Sequence, residues 1–150
     1  MFDRIAQTVS YQSLALDMPV QVTIKRLDQI HPQISGNKFF KLKYNLLEAQ
    51  KQAAKRIITF GGAYSNHIAA TAYASHLFGF ESIGIIRGEE LADKPLNNTL
   101  STAQQFGMQL QFVSREKYRQ KESEGFYSNL NKITLMPISC PKVVVITSLF

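Results

Sequence analysis

The apolar and polar positions change period along the chain, and each period predicts an element. Over residues 20–27, VQVTIKRL alternates in steps of two, the signature of a half-buried strand. IHPQISGN then reads as a turn, punctuated by Pro32 and Gly36. From Lys38 to Lys55 the apolar residues Phe39, Leu42, Leu46, Ala49 and Ala53 recur at steps of three and four. That spacing is one stripe of an amphipathic helix, with Asn37 as a plausible N-cap.

RIITF (56–60) is a short β-branched strand ending at Gly61-Gly62. The next helix, Asn66 to Phe78 closed by Gly79, is apolar nearly all round and is therefore expected to be buried on most sides. ESIGIIRG (81–88) is a strand, NNTLSTAQQFGM a helix with Gly107 at its end, and LQFV (110–113) a third strand. Ser114 caps a charged helix, REKYRQKESE. Strand and helix alternating at this spacing predict βαβ units: an α/β fold with a parallel sheet, flanking helices and right-handed crossovers.

Composition narrows the class. The 150 residues are 45% hydrophobic, with ten phenylalanines, enough for one buried core. No apolar run reaches the roughly 18 residues of a membrane span, and MFDRIAQTVS lacks the apolar core of a secretory signal. A single cysteine, Cys140, suits a reducing compartment, so a cytoplasmic location is expected. The formal net charge of +6 raises the question of nucleic acid. Its basic residues are dispersed, however, and those from Arg115 to Lys121 are interleaved with Glu116 in the manner of a solvated helix face; neither nucleic acid nor membrane is an expected partner.

Candidate chemistry lies at two helix starts. FGGAYSNHIAATAYA begins where a strand ends: its glycines let the backbone turn sharply, Ser65 can cap the helix, and the free N–H groups there attract an anion. A capped βα turn that binds nothing has the same sequence. At the other start, Lys38 stands where the helix dipole repels an ammonium and favours the neutral amine, the form that Schiff-base chemistry with an aldehyde requires. Most lysines at helix starts are simply solvated. His67 lies one step into the buried helix, as a donor or a packed ring. His31 and His76 lack metal-ligand spacing, and no metal is expected. Tyr64 can stack on a flat ligand or cover the turn; Thr71, Tyr73 and Ser75 read as packing residues. No G-x-S-x-G elbow occurs, so a hydrolase triad is not expected.

Together, SGNKFFKLKYNL and FGGAYSNHIAATAYA resemble the 1-aminocyclopropane-1-carboxylate deaminase and D-cysteine desulfhydrase family, over roughly residues 1–125. The resemblance implies a pyridoxal-phosphate enzyme with the tryptophan synthase β-like fold (fold type II), of which this chain carries the N-terminal part. It implies that Lys38 forms the Schiff base with the cofactor and that Asn66 bonds the ring's phenolic oxygen. Ser65, with Asn66 and His67, would meet the carboxylate of a small amino-acid substrate, and Ser65 would take part in the chemistry. A homodimer is implied for the family. Phe40, Lys43, Tyr64 and Ala69 depart from the family pattern, which leaves the substrate open.

The glycine-rich phosphate loop and the partner of the pyridine nitrogen belong to the second half of such a protein. The expected organisation is therefore a small α/β domain over 1–127 and an aberrant tail over 128–150, which includes a possible terminal strand. Reading the degenerate codons of MPISCPKVVVITSL so that each triplet starts on a codon's third base permits AYFLPEGGSNHLA. That product contains the family's Pro-Glu-Gly-Gly-Ser-Asn loop, so the tail is expected to be a frameshifted translation. The chain alone is then expected to bind cofactor weakly and turn over no substrate.

Overall fold

The computed structural model describes residues 2–120, 134–136 and 143–147. Two sheets form. β1 (Tyr11–Leu14) and β2 (Val22–Lys25) make an antiparallel hairpin, with Leu14 opposite Val22. The strand expected over 20–27 is thus shorter and mostly exposed, and its partner β1 carries too weak an alternation to be read from sequence. α1 (Asn37–Lys51) follows and leads into the main sheet.

That sheet has the order β5-β4-β3-β7-β6. β3 (Arg56–Gly62), β4 (Glu81–Arg87) and β5 (Met108–Val113) are parallel, joined through α2 (Asn66–Phe78) and α3 (Asn98–Gln105). The expected α/β architecture is therefore present. β7 (Val143–Thr147) pairs antiparallel with β3, and β6 (Thr134–Met136) antiparallel with β7. The rest of the tail, and the expected helix beyond Gln120, lie outside the described residues.

Register sets what each face carries. Ile57, Thr59 and Gly61 of β3 stand beside Ser82, Gly84 and Ile86 of β4, and the latter beside Met108, Leu110 and Phe112 of β5. This row is mostly small in its centre, which lets helices approach closely. α1 packs here through Phe39, Leu42, Leu46 and Ala49, meeting Ile57 and the Ala70 and Ala74 side of α2. The Ile68 and Ala72 side of α2 meets Leu100 and Ala103 of α3. α2 is therefore buried on most sides, as its composition requires. On the opposite face, Ile58, Phe60, Ile83 and Ile85 are buried with Tyr118 of α4 (Arg115–Arg119) packed against them. Strands buried on both faces suit a parallel sheet and explain their near-continuous apolar sequences.

Two expected helix boundaries move. α1 stops at Lys51, because Ala53 takes φ 51° and turns the chain; it is exposed, off the apolar stripe. At the other end Asn37 is the first helical residue, and the N-cap is Gly36 at φ 61°, a conformation that glycine adopts without strain. The segment before α1 is held at both ends. Phe2 is fully buried between Phe39 and Phe78, and Asp3 pairs with Lys43 of α1, whose hydrogen bond lowers the Asp3 carboxyl below its usual range. Lys43, a departure from the family pattern, thus has a local partner.

His31 sets the turn that enters α1. Its Nδ1 accepts from the backbone N–H groups of Gln33 at 3.0 Å and Ile34 at 3.1 Å, and its ring lies 5.3 Å from that of Tyr73. Burial pushes the imidazole below its ordinary 6.5. The unfolded chain therefore takes up this proton first: the stability is complete above 6.5 and is lost as pH falls from there through the folded value. Thermal melts at about pH 7.5 and about pH 5.0, either side of the ordinary imidazole value, are expected to give the lower Tm in acid. In His31→Asn, which keeps an acceptor, that gap shrinks; an unchanged gap would assign the slope to other groups.

Candidate active site

The β3–α2 junction is built on a missing side chain. A Cβ on Gly61 would sit 2.6 Å from Ile68 Cγ1 and 2.9 Å from Ser65 Cβ. Its absence lets the first turn of α2 rest directly on the end of β3. The chain then closes tightly: Ser65 N–H donates to the Gly62 carbonyl at 3.0 Å and Ile68 N–H to the Ser65 carbonyl at 2.9 Å. Ser65 is the N-cap residue with extended backbone angles, yet its hydroxyl makes no cap hydrogen bond. The expected side-chain cap is not formed, because the turn is held through the backbone instead.

From this turn three consecutive residues diverge. Ser65 is half-buried, Asn66 exposed and His67 buried, with Thr71 Oγ1 donating to the His67 carbonyl at 2.7 Å. His67 is buried at the helix start. Tyr64 is 83% exposed and covers little of the turn. His76 is exposed, its ring 5.7 Å from that of Phe106. Thr71 and Ser75 are buried as expected.

Lys38 occupies the first turn of α1, half-buried, with no acidic residue in that turn; its Nζ donates to Asn37 Oδ1. Only a short turn separates the end of α1 from β3, and Phe39 beside Lys38 is joined through Phe2 to Phe78 of α2. Ligands of parallel α/β sheets gather beyond the carboxyl ends of the strands, where Ser65 follows β3.

Ser65 also opens on a recess of about 500 Å³, between the Gly62–Ser65 turn and Arg87, Glu90, Leu91 and Arg115. Lys38, Asn66 and His67 do not line it. Arg115 is paired with Glu90 at 2.8 Å, and this hydrogen bond holds the Glu90 carboxyl below its usual range. The Arg87 guanidinium lies 5.9 Å from the Tyr118 ring centre. Local motif gave no reason to single these residues out. The available signal was the position of Arg87 at the last residue of a parallel strand. Asn97 was also passed over within NNTLST: its Oδ1 accepts from Leu100 N–H and its Nδ2 donates to the Ala63 carbonyl, both at 3.0 Å. Among the described residues no cluster of His, Cys, Asp or Glu could hold a metal, and no helix is long and apolar enough to cross a membrane.

No protein-family model matches the chain. Individual relatives do. The bifunctional D-cysteine desulfhydrase/1-aminocyclopropane-1-carboxylate deaminase of Arabidopsis thaliana is 35% identical over 115 residues, 75% of this chain and 29% of that protein. A Thermotoga maritima protein named as a 1-aminocyclopropane-1-carboxylate deaminase is 39% identical over 97 residues, 65% of this chain and 30% of its own. This chain is homologous to the N-terminal part of the 1-aminocyclopropane-1-carboxylate deaminase/D-cysteine desulfhydrase family. A solved deaminase homologue superposes on 85% of the chain, and 40% of its own, with a TM-score of 0.68 and 27% identity. The fold is thus that of the N-terminal part of a fold type II pyridoxal-phosphate enzyme. The matched region spans less than a third of the length of the Arabidopsis and Thermotoga proteins.

The Gly61 contact yields a measurable expectation. Gly61→Ala must push Ile68 or the Ser65 backbone away, and is expected to cost about 1–3 kcal/mol, the usual penalty of overpacking. Denaturant melts check it; a neutral substitution would show that the turn is looser than described.

Proposed function

We propose that this part of the fold serves pyridoxal-phosphate-dependent deamination or lyase chemistry on a small amino acid, of the 1-aminocyclopropane-1-carboxylate or D-cysteine type. The observation that carries the reading is a contrast among four helix starts. α3 and α4 are closed by their own side chains, Asn97 accepting from Leu100 N–H and Ser114 from Lys117 N–H. α1 and α2 have no side-chain cap. Those two open starts are the ones that bear Lys38 and Ser65. Each keeps the positive end of its dipole uncovered by a capping side chain, which favours an anion.

These residues fit the cofactor and substrate in part. Lys38 Nζ, held by no carboxylate, is the amine that would engage the cofactor's aldehyde and then serve as base for the substrate's Cα proton. Asn66, exposed at the start of α2, would bond the ring's phenolic oxygen. With the Ser65 N–H kept by the Gly62 carbonyl, Asn66 and His67 at the start of α2 would meet the substrate carboxylate together with Ser65, whose hydroxyl makes no cap bond and would serve proton transfer. The cofactor, when bound, supplies the electron sink that makes that Cα proton acidic. The first glycine of the Gly61-Gly62 pair is committed to the strand–helix contact, so phosphate binding falls to the part of the fold that the relatives carry beyond the matched region.

For the chain as it stands we infer weak cofactor binding and no turnover, in a reducing, cytoplasmic setting. Trapping with borohydride at substoichiometric pyridoxal phosphate, followed by peptide mapping, is expected to mark Lys38 ahead of Lys41 and Lys43. Lys38→Ala removes the dominant label; an even spread over the lysines, or a different dominant site, overturns the assignment.

The recess beside Ser65 favours one other reading: an anion-binding α/β module that uses Arg87 and the Gly62–Ser65 turn. In that case anion affinity is unchanged in Lys38→Ala.

The tail is a separate proposal. Residues 128–150 are a shifted reading of a family sequence, following the domain of residues 1–127. The nucleotide sequence decides it: codons that spell the Pro-Glu-Gly-Gly-Ser-Asn loop in the neighbouring frame are expected, and their absence rejects the idea.

A further inference from the structure

An open helix start raises a mechanical question. If Ser65 does not cap α2, something else must hold the turn that carries it. The backbone bonds within Gly62–Ile68 close the turn on itself but do not fix it to its surroundings. The Gly61 contact restrains it from the strand side alone.

Another tie comes from a residue 34 positions along the chain. Asn97, half-buried at the start of α3, donates from Nδ2 to the Ala63 carbonyl at 3.0 Å. Its Oδ1 accepts from Leu100 N–H at 3.0 Å, capping its own helix. One planar amide thus meets two backbones, one through each end. Among capping residues only an amide does this: aspartate and serine supply the acceptor, but aspartate has no donor and serine has a single short hydroxyl. α2 and α3 also pack side by side through Ile68, Ala72, Leu100 and Ala103, so the tie joins two elements already in register.

We propose that Asn97 is a positioning residue for the candidate site, fixing the Ala63 carbonyl so that the Ser65 turn keeps its shape with the hydroxyl uncommitted. Its relevance to catalysis rests on the function proposed above; the tie itself does not. The division of labour is chemical. A serine that capped its own helix would have its oxygen engaged by an N–H donor. Delegating the restraint to a neighbouring helix leaves that oxygen for a ligand.

The two bonds of Asn97 can be separated by substitution. Asn97→Asp keeps the acceptor for Leu100 N–H and replaces the donor with a carboxylate oxygen facing the Ala63 carbonyl. Asn97→Ser keeps the cap and withdraws the reach, and reads the same outcome if the aspartate variant folds poorly. Asn97→Ala removes both. The measurement is residue-resolved amide hydrogen exchange of the 150-residue chain, with Ser65 and Ile68 reporting the turn and Leu100 reporting the cap of α3.

In Asn97→Asp and Asn97→Ser, exchange at Ser65 and Ile68 is expected to quicken about five- to tenfold, the scale of one net hydrogen bond. Leu100 exchange and Tm stay near the parent values. In Asn97→Ala all three amides quicken. Unchanged Ser65 and Ile68 in every variant, or changes that always track Leu100, would reduce Asn97 to an ordinary cap and overturn the proposal. Borohydride labelling of Lys38 is expected to be the same in Asn97→Asp as in the parent. Failure of Lys38 labelling in the parent and in Asn97→Asp alike, alongside altered Ser65 exchange, would therefore reject the catalytic reading and leave the tie standing.

Discussion

The contact between β3 and the first turn of α2 governs the arrangement around it. With no Cβ at Gly61, α2 descends far enough for Ile68 to enter the core fully, and the turn before it is compressed into backbone hydrogen bonds. Burial of Ile68, worth about 1.5–3 kcal/mol, outweighs what a single side-chain cap of about 1 kcal/mol would add. The helix therefore tolerates an open start. His67 is carried into the interior and Asn66 is turned out as geometric consequences of the same descent.

The two candidate helix starts reach a similar chemical state by different means. At α2 the cap residue is a serine whose hydroxyl stays out of the cap; at α1 it is Gly36, which has no side chain to offer and takes a positive φ. In both cases the first turn is closed by backbone bonds and not by a side chain: Lys38 N–H to the Ser35 carbonyl and Phe39 N–H to Gly36 at α1, Ile68 N–H to Ser65 at α2. The next helix start, at Asn97, is capped by its own side chain and also braces its neighbour. Weak surface ion pairs such as Arg115–Glu90 shape the adjoining recess but add little to stability, since both partners are well exposed.

Much of this was legible in the sequence, for physical reasons that differ by element. α2 could be read closely because an all-round apolar segment between a Gly-Gly turn and Gly79 has few alternatives. β3 and β4 were legible because both of their faces are buried, which leaves runs rich in isoleucine, whereas β5 at the sheet edge alternates with exposed Gln109 and Gln111. β1 was not, since an exposed two-stranded hairpin needs almost no pattern. The end of α1 was misplaced because Ala53 is a good helix former; its positive φ is imposed by the turn into β3. At the site, Lys38 and the Ser65–His67 run were found through local motif, whereas Arg87 and Asn97 act across long stretches of chain, a relation that no local period records. The helix-capping role given to Ser65 failed because composition permits a cap without requiring one.

Strand order also has a bearing on biosynthesis. β3, β4 and β5 are joined through short helical crossovers, so the three-stranded half can close while the nascent chain is still being extended by the ribosome. The remaining flank of β3 is paired by residues 143–147, which are made after all three parallel strands. Until they emerge the strand beneath the Ser65 turn has unmatched backbone groups on one side, an invitation to intermolecular pairing.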